Sequence, residues 1–163
     1  RRDSEEAAAK VGIKWPNDIV VDGKKVCGIL TEMSMEQGYI QHIVIGVGIN
    51  VRKQEFPEEI RDRAAAIDEQ CGFRISRSQL IADIMEDYEI FLRTHDLKGL
   101  RASYAELLVN QDREVCVLDP KGEYRGIARG INDRGELLVE RQDGTVEEVY
   151  AGEVSVRGIY GYV

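Results

Sequence analysis

Apolar and polar positions alternate in short runs along the first fifty residues, and glycine, asparagine and lysine break those runs. Ile13 to Trp15 reads as a strand stopped by Pro16-Asn17, and Ile19-Val20-Val21 as a second strand. Asp22-Gly23 is a strong hairpin signal, because a tight primed turn needs positive φ. Val26 to Met35 returns as a longer strand, and Gln37-Gly38 turns it into a last one, Tyr39 to Gly48. The run Ile43-Val44-Ile45 is apolar on both faces, which predicts a central, covered strand. Ahead of this meander, Glu5 to Lys10 reads as the end of a helix closed by Gly12.

After a polar loop from Val51, the period changes to that of helices. Pro57 with Glu58-Glu59 behind it predicts a helix start, continuing through Arg61 to Gln70 and ending near Gly72. Ser76 or Ser78 caps the next helix. Its Leu80, Ile81, Ile84, Met85, Tyr88, Phe91 and Leu92 recur at three- and four-residue spacing, which predicts a core-facing stripe. Leu97 to Val109 predicts a further helix with Leu100, Tyr104, Leu107 and Leu108 on one side. Beyond Asn110 to Asp112 the texture shifts again. Short strands at Val115–Leu118, Tyr124–Ile131, Leu137–Val139 and Val146–Tyr150 alternate with turn signals, and Val154–Val156 and Ile159–Val163 add a closing strand. That spacing predicts a small all-β barrel, with a thin core that leans on the first part of the chain.

Composition narrows the function classes. The 163 residues are 43% hydrophobic and 32% charged, as in soluble domains. No apolar run approaches the roughly 20 residues that a membrane helix requires. A formal net charge of -8 argues against a general nucleic-acid binder. Cys27, Cys71 and Cys116 are an odd, scattered set without a CxxC pair, which predicts reduced, structural thiols in a cytoplasmic protein. His42 and His95 have no ligand-spaced partners, and no nucleophile–base pair suggests itself.

The chemistry concentrates in three breaks of the first strands: Lys14-Trp15-Pro16-Asn17-Asp18, then Lys25 with Gly28-Ile29-Leu30, then Gly46-Val47-Gly48-Ile49-Asn50. Taken singly, each has an ordinary explanation: a solvated hairpin lysine, a Pro-Asn-Asp turn, glycines at bulges. Gly46 to Asn50 is not a dinucleotide fingerprint, since the third glycine is missing and a loop follows. Simple alternation puts Lys25 and Gly28 on opposite strand faces, so a shared site needs a bulge or the Gly28 backbone.

Taken together, the three segments resemble the catalytic-domain signature of biotin protein ligases. Ala128-Arg129-Gly130-Ile131 and Gly152 to Arg157 are similar to that family's small C-terminal domain. The resemblance covers the chain from about Gly12 onward. It implies an α+β fold: a mixed or antiparallel sheet with helices on one side, a portion of a class II synthetase-like catalytic core, over residues 1–111. A small SH3-like β-barrel over 112–163 follows. It implies activation of biotin with Mg-ATP to biotinyl-5′-AMP, then transfer to a lysine of a biotin carboxyl carrier domain of a carboxylase.

By the same matching, Lys25 is the catalytic lysine, reaching the biotin carboxylate and the phosphate. Gly28 and Gly46 line biotin. Asn17, Asp18, Ile49, Asn50 and Arg157 face ATP or the adenylate, with Asp18 toward the nucleotide's magnesium. The family's glycine- and arginine-rich loop over biotin has no counterpart among the thirteen residues before Lys14, and its DNA-binding winged helix has none either. The expectation is therefore the C-terminal part of a ligase, with weak or no adenylate synthesis alone and no nucleic-acid binding. The rival readings are a non-catalytic fragment that binds a ligand or carrier, or forms a homodimer through its sheet, and a related lipoate or octanoyl transferase.

Overall fold

The computed structural model describes residues 10–94, 97–119, 122–150 and 155–158. All but the last residue of the helix expected at Glu5–Lys10, and the closing segment expected at Ile159–Val163, lie outside these residues.

The first half is a four-stranded antiparallel meander in sequence order: β1 (Val11–Lys14), β2 (Asp18–Val21), β3 (Lys24–Glu36) and β4 (Tyr39–Ile49). Its hairpins form where the turn chemistry placed them. Asp22 and Gly23 have φ of 49° and 77°, and Gln37 and Gly38 have 48° and 85°. Positive φ at both central residues matches the strands' right-handed twist. Cys27, Val21, Val26 and Ala65 form a small core on one side, with Ile19, Ile29, Ile49 and Ile67 packed against it.

Helices are few: α1 (Ile67–Cys71), α2 (Arg77–Thr94) and α3 (Leu97–Leu107). Ser76 is the residue that caps α2, its hydroxyl accepting from the Gln79 N–H at 3.4 Å. The helix expected from Pro57 does not form. Residues 58–63 make turns, and only Ile67 to Cys71 is helical. Tertiary pairing has taken the backbone groups that a continuous helix would use. The Arg63 carbonyl accepts the Lys25 N–H at 2.7 Å, and the Ala65 N–H donates to the Lys25 carbonyl at 3.0 Å. Asn50 and Val51 carbonyls then satisfy the first amides of α1, Ile67 and Asp68.

The second sheet is five-stranded and antiparallel, in the order β8-β7-β6-β5-β9, from β5 (Glu114–Leu118), β6 (Tyr124–Ile131), β7 (Leu137–Glu140), β8 (Val146–Val149) and β9 (Ser155–Gly158). The expected barrel is corrected here: β8 and β9 stand at opposite edges, and neither sheet closes among the described residues. The expectation of a mixed sheet is settled in favour of antiparallel pairing throughout. The core is built from Val115, Val117, Ala128, Leu137 and Val139, all 0% exposed. Burying side chains of this size contributes roughly 1.5–3 kcal/mol each for valine or leucine. Trp15, from the turn after β1, belongs to this core and not to that of its own sheet.

Two expectations of coverage are overturned. β4 is an edge strand with β3 on one side only, and Ile43 and Ile45 are 53% and 47% exposed. The α2 stripe is likewise exposed, with Ile81 at 59% and Met85 at 56%. Both patterns were read from periodicity, which marks a face that seeks cover without naming what covers it. Among the described residues, most of both faces stays exposed. Within the same residues no helix is long and apolar enough to cross a membrane.

Candidate functional site

The site begins with a bulge. Across β2 and β3 the register runs Asp18↔Gly28, Ile19↔Cys27, then Val20↔Lys25, so Val26 is an extra residue on β3. Regular alternation would send Lys25 and Gly28 to opposite faces. The extra residue turns Lys25 onto the face that carries Asp18 and Gly28, a common use of bulges beside functional sites. Lys25 Nζ then lies 2.5 Å from Asp18 Oδ1.

Gly28 makes that geometry fit. A β-carbon on it would stand 2.9 Å from Lys25 Nζ and 3.0 Å from Cε. The lysine stem thus lies across a bare stretch of backbone. That bareness continues along the sheet, because Gly28 pairs with Gly48 and Leu30 with Gly46. The nearest atom to a β-carbon at Gly46 is the Leu30 carbonyl oxygen, at 3.6 Å. A planar or ring-shaped ligand over Gly46 and Gly48 meets only backbone there, and at Gly28 it meets the Lys25 ammonium.

Asp18 is 7% exposed, whereas the Lys25 side chain keeps 38% of its surface accessible. An ammonium has three N–H donors, so one carboxylate does not saturate it, and it stays able to reach an anionic oxygen. Asn17 is tied to β3 from both ends: its Nδ2 donates to the Ile29 carbonyl at 2.6 Å, and its carbonyl accepts the Ile29 N–H at 2.9 Å. Cys27 points to the opposite face, into the small core. Burial pushes its thiol pKa up, with Lys25 pulling it down and Asp18 adding to the rise.

A cavity of about 520 Å³ opens beside the lysine, lined by Lys25, Asn50, Gln54, Glu55, Phe56, Pro57, Ile60, Arg63 and Ala64. Its volume lies in the range of small-molecule sites. Asn50 is fixed by its backbone, donating N–H to Val26 O at 2.8 Å, and its Oδ1 accepts from Gln54 Nε2 at 3.3 Å. Phe56, Pro57, Ile60 and Arg63 were not singled out as site residues from the sequence. The available signal was an apolar Phe-Pro pair inside an otherwise polar loop.

The sequence-chosen residues therefore divide. Lys25, Asp18, Gly28 and Asn17 meet within one turn and bulge, Asn50 joins Lys25 at the cavity, and Gly46 lies further along the glycine-lined face. Ile49 pairs with Cys27 and packs on the opposite face, against the small core. Arg157 is on β9 opposite Cys116, and its expected reach to phosphates lies outside the described residues.

Among the described residues no group of three metal-ligating side chains exists. Asp18 is a single carboxylate, which suits a magnesium ion that arrives with a nucleotide, since Mg²⁺ is often held by one or two carboxylates plus phosphates. The residues present do not form a protein cage for it.

Residues 2–50 match the family model described as the biotin/lipoate A/B protein ligase family, and residues 112–157 match the biotin protein ligase C terminal domain. The bifunctional ligase/repressor BirA of Bacillus spizizenii is 35% identical over 158 residues, covering 93% of this chain and 48% of the relative. The biotin--[acetyl-CoA-carboxylase] ligase of Mycobacterium tuberculosis is 32% identical, covering 90% and 53%. The solved biotin protein ligase from Aquifex aeolicus in complex with biotin and ATP superposes with a TM-score of 0.77 at 29% identity, covering 91% of this chain and 62% of that one. The chain thus spans about half the length of these curated relatives.

Proposed function

From the premise that this chain belongs to the biotin protein ligase family, we propose that it carries the lysine-bearing part of a biotin-activating site. The reaction is attack of the biotin carboxylate on the α-phosphate of ATP, giving biotinyl-5′-AMP and pyrophosphate. Transfer of the biotinyl group to a lysine of a biotin carboxyl carrier domain follows, in the cytoplasm. The observation that carries this reading is Lys25 Nζ held over Gly28 by Asp18, at the mouth of a cavity that Asn50 also lines.

The physical logic is positioning plus charge. Both reactants are anions, so bringing them together needs a cation at the crowded oxygens, placed in advance. Lys25 supplies it, and Asp18 keeps its ammonium from swinging into solvent. A preorganised cation of this kind is worth on the order of a few kcal/mol at the transition state. The reading gives biotin the glycine strip of Gly28 and Gly46, with the Lys25 ammonium at its Gly28 end. It gives the adenine the cavity by Asn50, between Phe56, Pro57 and Ile60, with Ile49 bracing Asn50 from the far face. Asn17 and Asp18 face the phosphates and the magnesium ion that would travel with them, which supplies Lewis-acid neutralisation when bound. Arg157 is assigned to the ATP phosphates by resemblance. Residues 112–163 act as the small C-terminal domain.

These 163 residues contain no glycine- and arginine-rich run of the kind that folds over biotin in the family. The reading therefore expects weak or no adenylate synthesis by this chain alone. Calorimetry with biotin, lipoate and ATP tests it. Biotin-plus-ATP binding that falls at least tenfold in Lys25→Ala supports the ligase reading, and equal binding by the variant sinks it. Lipoate binding instead favours the transferase relatives. A second reading, a partner-binding fragment or homodimer, draws on the exposed apolar residues of β4. A folded chain that binds no small ligand but sediments as a dimer favours it.

A further inference from the structure

Trp15 is 1% exposed, yet its indole is buried among Val115, Val117, Ala128, Leu137 and Val139 of the five-stranded sheet. The strand it follows, β1, belongs to the other sheet. Two hydrogen bonds fix it there. The backbone N–H donates to Asn110 Oδ1 at 3.0 Å, and the indole Nε1–H donates to the Gly135 carbonyl at 2.9 Å. Tyr104 Oη donates to the Pro16 carbonyl at 3.5 Å, and burial among the same residues pushes its pKa up to about 12.

The acceptor is held as firmly as the donor. Gly135 sits at φ of 79° in the β6–β7 turn. Asn132 closes that turn, its Oδ1 accepting the N–H of Arg134 at 2.9 Å and of Glu136 at 3.1 Å. Two residues after Trp15, Asn17 is bonded to Ile29 from both ends, and three residues after it Asp18 holds Lys25. A continuous set of bonds therefore runs from the second sheet's β6–β7 turn to the lysine.

We propose that Trp15 is a positioning residue, through which the β6–β7 turn sets where Asn17 and Asp18 stand relative to Lys25. This rests on the reading of Asn17, Asp18 and Lys25 as the site. The consequence is that the second sheet acts on the site without touching ligand there. Loosening the turn loosens the placement of the carboxylate that pins the lysine.

Amide hydrogen exchange on the whole chain tests it, because it needs no ligand. Trp15→Phe keeps an aromatic ring in the core but removes the indole donor. The expected result is exchange at least tenfold faster at Ile29, whose N–H is bonded to Asn17 O, with amides of β5 and β7 changed less than twofold. Unchanged Ile29 exchange in the folded variant overturns the proposal, as does an equal rise in all sheet amides, which would mark general destabilisation. If Trp15→Phe does not fold, Asn132→Ala decides. It loosens only the turn and is expected to speed Ile29 about threefold, and no change there overturns the proposal. A wild-type chain that binds neither biotin nor ATP would sink the functional reading while leaving this anchor tested by exchange. Where binding is present, nucleotide affinity falls about tenfold in Trp15→Phe.

Discussion

Replacing Gly28 with alanine separates the site from the fold. The added β-carbon would stand 2.9 Å from Lys25 Nζ, 3.0 Å from its Cε and 3.5 Å from Asp18 Oδ1. Comfortable contact begins at about 3.5 Å, so the ammonium must move by roughly 0.5 Å or more. Gly28 is not among the glycines with positive φ, so alanine meets no backbone strain there. What yields is the end of a flexible side chain, and the ion pair it makes with Asp18. With 38% of the lysine side chain accessible, that pair is worth at most about 1 kcal/mol. For a chain of this size that corresponds to a melting shift of about 2–4 °C.

The effect on ligand is expected to be larger, because a hydrogen bond between charged groups is worth about 1.5–3 kcal/mol, roughly 10- to 100-fold in affinity, and the displaced ammonium loses it. Gly28→Ala should therefore weaken biotin-plus-ATP binding by about 10- to 100-fold while melting within a few degrees of wild type. Calorimetry and thermal unfolding on the same preparations read both. A folded Gly28→Ala chain that binds within twofold of wild type would refute the reasoning. Gly126→Ala is the converse control. There the β-carbon would meet Val139 Cγ1 at 2.5 Å and the Glu140 carbonyl oxygen at 2.6 Å, neither of them a flexible end. Overpacking of this kind costs about 1–3 kcal/mol, so this variant should lose melting temperature to a degree that Gly28→Ala does not.

Two further outcomes follow from titrating groups near the site loop. The Arg52 hydrogen bond, joined by the Ile75 N–H, holds the Asp68 carboxyl below its ordinary value of 3.8. A folded-state pKa below the unfolded one gives stability that is present above the unfolded pKa and lost as pH falls through the folded one. Asp68→Asn should therefore be less stable than wild type above about pH 5, and the gap should shrink below about pH 3 in acid-unfolding curves. Cys27 is buried with its thiol pKa raised, whereas Cys71 and Cys116 are half-buried. Iodoacetamide at pH 8 should modify Cys27 at least tenfold more slowly than the other two in the native chain, and at similar rates in urea. Mass spectrometry of timed digests checks this, and early labelling at Cys27 would contradict its placement.

What the sequence disclosed and what it withheld follow the range of the forces involved. Asp22-Gly23 and Gln37-Gly38 were legible because a primed turn needs positive φ within two residues, and Ser76 because a cap acts within one helical turn. The Lys25–Gly28 conflict was legible as a conflict, and the bulge at Val26 resolved it. Which residue would bulge was not readable, since that depends on pairing with β2 across the sheet. The helix expected from Pro57 failed for a similar reason: a local preference of a few tenths of a kcal/mol per residue lost to backbone pairing with Lys25. That pairing is also what brings Phe56, Ile60 and Arg63 to the cavity, so the misread helix and the overlooked site residues have one cause. Trp15 is the strongest case. Its position in the motif read as the end of a strand beside the site, but it lies in the turn and its side chain serves the other sheet's core, 120 residues along the chain at Gly135. The site is thus local in sequence where it presents chemical groups and non-local where those groups are held in place.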